Sequence, residues 1–352
     1  MKRAFRVIPP AILITLSCVS AWAETSVQSV ASIGFTVSDM DRSIAFYRDV
    51  LTFTPVGDVE VDGPEYDQLF GIFGVRARIV HMQLGEQQIA LTQFVSPPDL
   101  RPIPMPSYSH DLWFQHFAIV VRDMEAAWAQ LRKHRVRQIS PRPQTIPVTN
   151  PPAAGIKAIK FRDPDGHNLE LLWFPPDKGN PVWKRPISPA HPGAAETAPI
   201  PESDLFMGID HTAMTVRSTE SSAKFYRDLL GMTVAGGTLN MGTTQQYLDS
   251  LPGARTRVTG LAPKMAPPGL EFLEYELPTA GRPFPADSRP TDLWHWQTTL
   301  LVSDVEAAAA ALRDTAQLVS SGVVSIPDGR LGFTKGFLVR DPDGHVMQVV
   351  SR

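Results

Sequence analysis

Cysteine is nearly missing from this chain: among its 352 residues only Cys18 is present. One thiol excludes a disulfide scaffold and leaves little room for thiol chemistry. An excess of one charge is missing too. Thirty-three Lys and Arg stand against 36 Asp and Glu, a formal charge of −3, so the basic footprint of a nucleic-acid-binding protein is excluded. Long hydrophobic runs are scarce, and the apolar run near the start, Ala11 to Val19, is too short to span a bilayer. A hydrophobic share of 43% nevertheless supports a packed core and rules out a disordered chain.

That apolar run follows Lys2, Arg3 and Arg6 and precedes Ala21-Trp22-Ala23, a small-x-small cleavage pattern ahead of Glu24. Together they predict an export signal over residues 1–23 and a periplasmic or secreted protein with no membrane attachment after cleavage. Leu16-Ser17 is a poor context for acylation of Cys18. Cleavage removes the only cysteine and leaves 30 basic against 36 acidic residues, a formal charge of −6. Metal ligands, if used, must then be His, Asp, Glu or Gln.

Self-comparison is the most informative reading. "VSDMDRSIAFYRDVL" from Val37 matches "VRSTESSAKFYRDLL" from Val216, an offset of 179. "DLWFQHFAIVVRDMEAAWAQLR" from Asp111 matches "DLWHWQTTLLVSDVEAAAAALR" from Asp292, an offset of 181, and the two DPDGH turns at Asp163 and Asp341 lie 178 apart. Residues 30–174 are therefore duplicated as 208–351. Each half divides again into two units, each opening with an alternating strand that ends in Val and runs into a helix. Capping-box-like starts are expected at Ser38-x-x-Asp41 and Ser303-x-x-Glu306, with Met40, Ile44, Tyr47 and Leu51 along one helix side. Later strands follow, the last pair in units two and four turned at Asp165-Gly166 and Asp343-Gly344. The predicted organisation is a signal peptide at 1–23, a first repeat at 24–174 holding modules one and two, a Pro-rich connector at 175–206 with eight prolines, and a second repeat at 207–352 holding modules three and four. The connector reads as extended.

These residues resemble the vicinal oxygen chelate superfamily, the glyoxalase, bleomycin-resistance and extradiol-dioxygenase group. The resemblance covers the whole chain after residue 23 outside the connector. It implies an α+β fold of four βαβββ modules, arranged as two tandem repeats and paired into cupped mixed sheets. In that family each module offers one metal ligand from its first strand and one from its last. The first-strand positions, five residues before the strand-ending Val, are Ser32, His116, His211 and Gln297. The last-strand positions are Ala90, Glu170, Glu271 and Gln348. Pairing modules one with two and three with four would split the His and Glu residues between two incomplete sets. Pairing two with three, as in some fused, monomeric glyoxalase I enzymes, collects His116, Glu170, His211 and Glu271 in one cup and leaves Ser32, Ala90, Gln297 and Gln348 in the other. The ligand count favours the second arrangement.

Two imidazoles and two carboxylates suit a divalent metal of the Zn, Ni, Fe, Mn or Co group. By the same resemblance, open positions on the metal would take a small substrate with neighbouring oxygens, and Glu170 or Glu271 would move a proton in lyase or isomerase chemistry through a chelated enediolate. Trp113, Phe114, Trp294 and Trp296, with Tyr275 beside Glu271, are candidate pocket walls. Glu274 falls on the face opposite Glu271, and His295 could stand in for Gln297 in module four. His81, His110, His134, His167, His191 and His345 read as structural or solvated. Two other classes compete: an extradiol-type dioxygenase, which would draw its ligands from modules three and four, and a non-catalytic, antibiotic-sequestering binding protein.

Overall fold

The computed structural model describes residues 26–185 and 200–352; the expected signal peptide and Cys18 lie outside them. Each module opens with a strand: Val27–Thr36, Gln115–Val121, Phe206–Val216 and Trp296–Val302. A helix follows each: Met40–Leu51, Met124–Lys133, Thr219–Ala223 continuing into a π-helical turn at Lys224–Leu229, and Val305–Leu312. The helices start one residue later than the capping boxes suggest. Asp39 accepts from the Arg42 amide and Asp304 from the Ala307 amide, so the aspartates are the N-caps. Ser38 is thereby released to bond Asp165 through its amide at 2.9 Å and its hydroxyl at 2.6 Å. None of the described helices is long and apolar enough to cross a membrane.

The strands form two mixed sheets, and neither is built from a single repeat. In one, Gln115–Val121 of module two pairs antiparallel with Phe206–Val216 of module three. In the other, Val27–Thr36 of module one pairs with Trp296–Val302 of module four. The faces turned away from the cups share one core, where Phe35 stacks on Trp296 at 5.1 Å and on Phe117 at 6.2 Å between ring centroids. Burial of this shared face against the helices is what makes either sheet stable.

The repeated motifs prove to be the joints between these parts. In the first DPDGH turn, Asp163 Oδ1 accepts the amides of Asp165, Gly166 and His167, and Oδ2 accepts the Tyr47 hydroxyl of the first Phe-Tyr-Arg-Asp motif at 3.0 Å. Gly166 has φ +100° and Gly344 φ +102°, a conformation that excludes a side chain at little cost only for glycine. His167 donates from Nδ1 to Asp163 at 2.8 Å and from Nε2 to the Leu293 carbonyl, in the other repeat, at 2.7 Å. His345 repeats this with Asp341 at 2.9 Å and Leu112 O at 3.0 Å. The DLW motifs do the same: Asp111 pairs with Arg282, which covers the Trp113 ring, and Asp292 pairs with Arg101, which covers Trp294. Reading His167 and His345 as turn residues agrees with this arrangement.

Each turn imidazole faces two acceptors and must carry both protons to satisfy them. Burial lowers its pKa, but the adjacent buried carboxylate of Asp163 or Asp341 outweighs burial and leaves it raised. A raised folded value means the stabilisation is fully present below the unfolded value of about 6.5 and is lost as pH rises through the folded value. Thermal melts should therefore show stability falling on the alkaline side of neutrality, and the double variant His167→Gln/His345→Gln should flatten that slope while lowering the midpoint at pH 6.

Candidate metal centre

Strand register places the four expected ligands on one face. Across the shared sheet His116 stands opposite Ala213, and Ala213 opposite Glu271; His211 stands opposite Ala118, and Ala118 opposite Glu170. Two rows related by an approximate twofold axis result, each with an alanine between the histidine and the glutamate. The small Ala118 and Ala213 side chains leave the space that the longer ones enter.

His116, Glu170 and His211 are all buried, and one potential ligand atom from each lies within 4.8 Å of the others. His116 Nε2 is 3.2 Å from Glu170 Oε2. Glu271 stands beside this group, its Oε1 3.6 Å from His211 Nε2, with 22% of its side chain exposed. Burial pulls the His116 imidazole down to about 4, partly offset by Glu170. Burial opposes ionisation of Glu170, but the attraction of His116, Lys160 and His211 outweighs it and brings the carboxyl to about 2. Burial likewise works against a charged His211, yet Glu271, Asp210 and Glu170 raise it to about 9. Burial raises Glu271, with His211 offsetting part of the effect and Glu170 adding to it.

Three carboxylates gathered around one imidazole call for a cation. His211 Nε2 is buried without a hydrogen-bond partner and aimed at that group. An N/O donor set of this kind fits a borderline divalent metal, with His116, Glu170 and His211 as the compact set and Glu271 at its edge.

Asp210 was not foreseen. Adjacent strand residues normally point to opposite faces, but the register shifts between Ile209 and His211, and the extra residue in this bulge is Asp210. Its Oδ2 accepts from His211 Nδ1 at 3.0 Å, which fixes the tautomer and leaves Nε2 free for the cup. Its Oδ1 accepts the Trp183 indole N–H at 2.5 Å. Trp183 belongs to the connector, in a 3₁₀ turn at Pro181–Lys184, so the described part of that segment packs against the centre instead of running past it.

Lys160 was missed as well. It lies directly across the DPDGH hairpin from Glu170, a position that can be read from the turn itself. Its Nζ donates to Asp249 Oδ1 at 2.8 Å, and Asp249 Oδ2 takes the Tyr275 hydroxyl at 2.8 Å and Gln245 Nε2 at 2.7 Å. Burial disfavours the lysine charge, but Asp249, Glu170 and Glu271 outweigh it and its pKa is raised.

The second sheet repeats this register with different chemistry. Gln297 faces Gly34, which faces Ala90; Ser32 faces Thr299, which faces Gln348. Ser32 Oγ donates to Thr299 Oγ1 at 3.1 Å, and Thr299 Oγ1 donates to Gln348 Oε1 at 2.8 Å. Thr299 stands where the other cup has Ala118, and its hydroxyl joins the flanking side chains directly. Gln297 folds over Gly34 and its Oε1 is 3.1 Å from His295 Nε2. Every group in this chain is neutral, which suits no metal. His81, read as structural, lines this second cup.

The aromatic pocket walls are a correction. Trp113 and Trp294 hold Ser107 and Ser288 through their indole nitrogens beneath the arginines of the other repeat. Trp296 is in the shared core. Phe114 packs edge-on behind His116 at 5.9 Å, and Tyr275 is spent on Asp249. The cavity over the metal-ligand set, about 150 Å³, is walled by aliphatic side chains such as Ile156, Leu172, Leu248 and Leu273, with Phe174 at its side. Glu274 is outside the cup, accepting the Thr219 amide at 3.0 Å.

A cupped pair of βαβββ modules with His and Glu at these register positions defines a class. The family model of the Glyoxalase/Bleomycin resistance protein/Dioxygenase superfamily matches residues 29–171 and again 208–349, and the chain belongs to that superfamily. A 2-epi-5-epi-valiolone epimerase of Actinomyces sp is 31% identical over 152 residues, covering 42% of this chain and 80% of the epimerase. A metallothiol transferase FosB of Staphylococcus epidermidis is 32% identical over 146 residues, covering 41% of this chain and 81% of the transferase. Among solved structures, glyoxalase I from Zea mays superposes with a TM-score of 0.56 at 16% identity over 92% of each chain. A putative dioxygenase from Bacillus subtilis gives 0.55 at 11% identity, over 93% of this chain and 86% of its own. At these identities the structural likeness is one of fold.

Asp210 sets the orientation of His211 without touching the cation position. Replacing Asp210 with Ala should weaken divalent-cation affinity about 10- to 100-fold in a chelator competition, and Trp183→Phe should weaken it less.

Proposed function

We propose that this chain is an exported, metal-dependent enzyme that performs glyoxalase I-like lyase or isomerase chemistry on a small substrate with neighbouring oxygens. The observation that carries the reading is the convergence of His116, Glu170 and His211 to within 4.8 Å, drawn from both repeats onto one face. These three residues would hold the ion. A divalent cation bound there supplies Lewis acidity to oxygens that become negatively charged during the reaction.

The chain's own groups supply the rest. Glu271, at the edge of the compact set and facing the cavity, is placed to take a proton from a carbon of the substrate and return it to a neighbouring atom. Asp210 holds His211 in one tautomer. Aliphatic side chains wall the cavity in which the proton would move. An extradiol-type centre would need His211, Gln297 and Gln348 together, and the two glutamines stand in the other sheet.

Metal analysis of protein purified without chelator tests the reading. About one equivalent of a divalent metal is expected, lost in His116→Ala and His211→Ala and kept in Gln297→Ala. Glu271→Gln should keep the metal and reduce turnover at least about 100-fold; loss of metal in Gln297→Ala but not in His211→Ala would overturn the assignment. Absence of metal from the wild type would favour a non-catalytic binding protein.

Export rests on the N-terminal sequence alone, and no membrane attachment is proposed for the cleaved chain. N-terminal sequencing of protein recovered from an expressing bacterium should begin at Glu24.

A further inference from the structure

The centre accounts for the histidines and glutamates of the cup but not for Lys160. This side chain is only 3% exposed, in the wall of the cavity that holds His116, Glu170, His211 and Glu271. A buried ammonium has three hydrogens to place. Asp249 takes one, and no second acceptor bonds Lys160 Nζ among the described residues. Asp249 itself is held by Tyr275 and Gln245 besides Lys160. Nζ also lies 5.5 Å from the centroid of the Phe114 ring, and Glu170 faces Lys160 across the hairpin.

A bland account is that the Lys160–Asp249 pair only staples module two to module three. The fold does not require such a staple. The residue across from Gln348, in the corresponding hairpin of the second repeat, is Leu338, and across from Glu271 it is Gly260. Both positions close without a buried charge. A divalent ion would offset Glu170 and Glu271, while Asp210 and Asp249 remain as further carboxylates, so Lys160, the Lys or Arg side chain in the wall of this cavity, is the fixed cation with unused donors that an arriving anion would meet.

We infer that Lys160 is an anion anchor inside the cup and that the substrate is a small organic acid, carrying a carboxylate next to the neighbouring oxygens that the centre would receive. The inference rests on the metal-centre reading above. The cavity of about 150 Å³ limits the substrate to a few heavy atoms near the centre. A second cavity of about 180 Å³ shares Ile146, Asn240 and Gln245 with it and gives room for a longer tail.

The test compares two probes on cobalt(II)-loaded protein by calorimetry and by the visible spectrum of the cobalt. Lactate offers a hydroxyl and a neighbouring carboxylate; malate offers the same pair plus a second carboxylate. Wild type should bind malate at least about tenfold more tightly than lactate. Lys160→Met should abolish that preference, and Lys160→Arg should retain part of it. Because Lys160→Met strands Asp249 as a buried charge and can unfold the protein, Lys160→Met/Asp249→Asn, which removes both charges, is measured beside it. Persistence of the malate preference in the double variant, or no preference in the wild type, overturns the anchor. Failure of wild type to bind cobalt overturns the metal reading instead. Malate titrated into the cobalt-free wild type and double variant then reads Lys160 alone: binding lost in the variant sustains the anchor, and equal binding overturns it.

Discussion

The rest of the molecule depends on the antiparallel pairing of Gln115–Val121 with Phe206–Val216. A strand's side chains alternate, so a slip of one residue would turn every side chain of one partner to the opposite face. In the register adopted, Phe117, Ile119 and Met214 enter the shared core while His116 and His211 enter the cup. The same contacts that bury the apolar face thus set the distance between the histidines. Register is strongly specified here because both faces are buried: slippage would put imidazoles into the core and phenylalanine into a polar cavity.

The two sheets show how a duplicated scaffold divides its tasks. Both keep the register, the bulge before the first-strand ligand position and the hairpin that aims the last strand. They differ in the side chains on that frame. One cup gathers charged donors around two alanines; the other ties Ser32, Thr299 and Gln348 into a neutral chain of hydrogen bonds. Replacing ligands by groups that satisfy one another leaves no unpaired buried charge, so the second sheet keeps its shape with no ion to organise it.

Much of this was legible in the sequence because it is written twice. The offsets of 178 to 181 exposed the modules, and the terminal Val of each first strand indexed the ligand positions. The division of His and Glu between modules two and three pointed to pairing across the repeats, the arrangement that the sheets have. What escaped was whatever breaks alternation or lies far apart in the chain. Asp210 faces the cup only because a bulge adds a residue, and no residue type announces a bulge. Trp183 reaches Asp210 from a Pro-rich segment that read as extended. The tryptophans before the first strands looked like pocket walls because their arginine partners, Arg282 and Arg101, sit in the opposite repeat. Asp39 and Asp304 displaced the expected serine caps because a carboxylate one position later reaches the free amides equally well.

The cross-handed bonds of the turns, His167 to Leu293 and His345 to Leu112, join residues of different repeats, as do both central strand pairings. Every one of these contacts could be made as well between two separate chains, each bearing one repeat, or between two full chains that exchange halves. Contact chemistry alone does not favour the intramolecular form. The difference is effective concentration: the 175–206 connector holds the second repeat near the first, and shortening it below the span between the halves would redirect the same interfaces toward assembly between molecules.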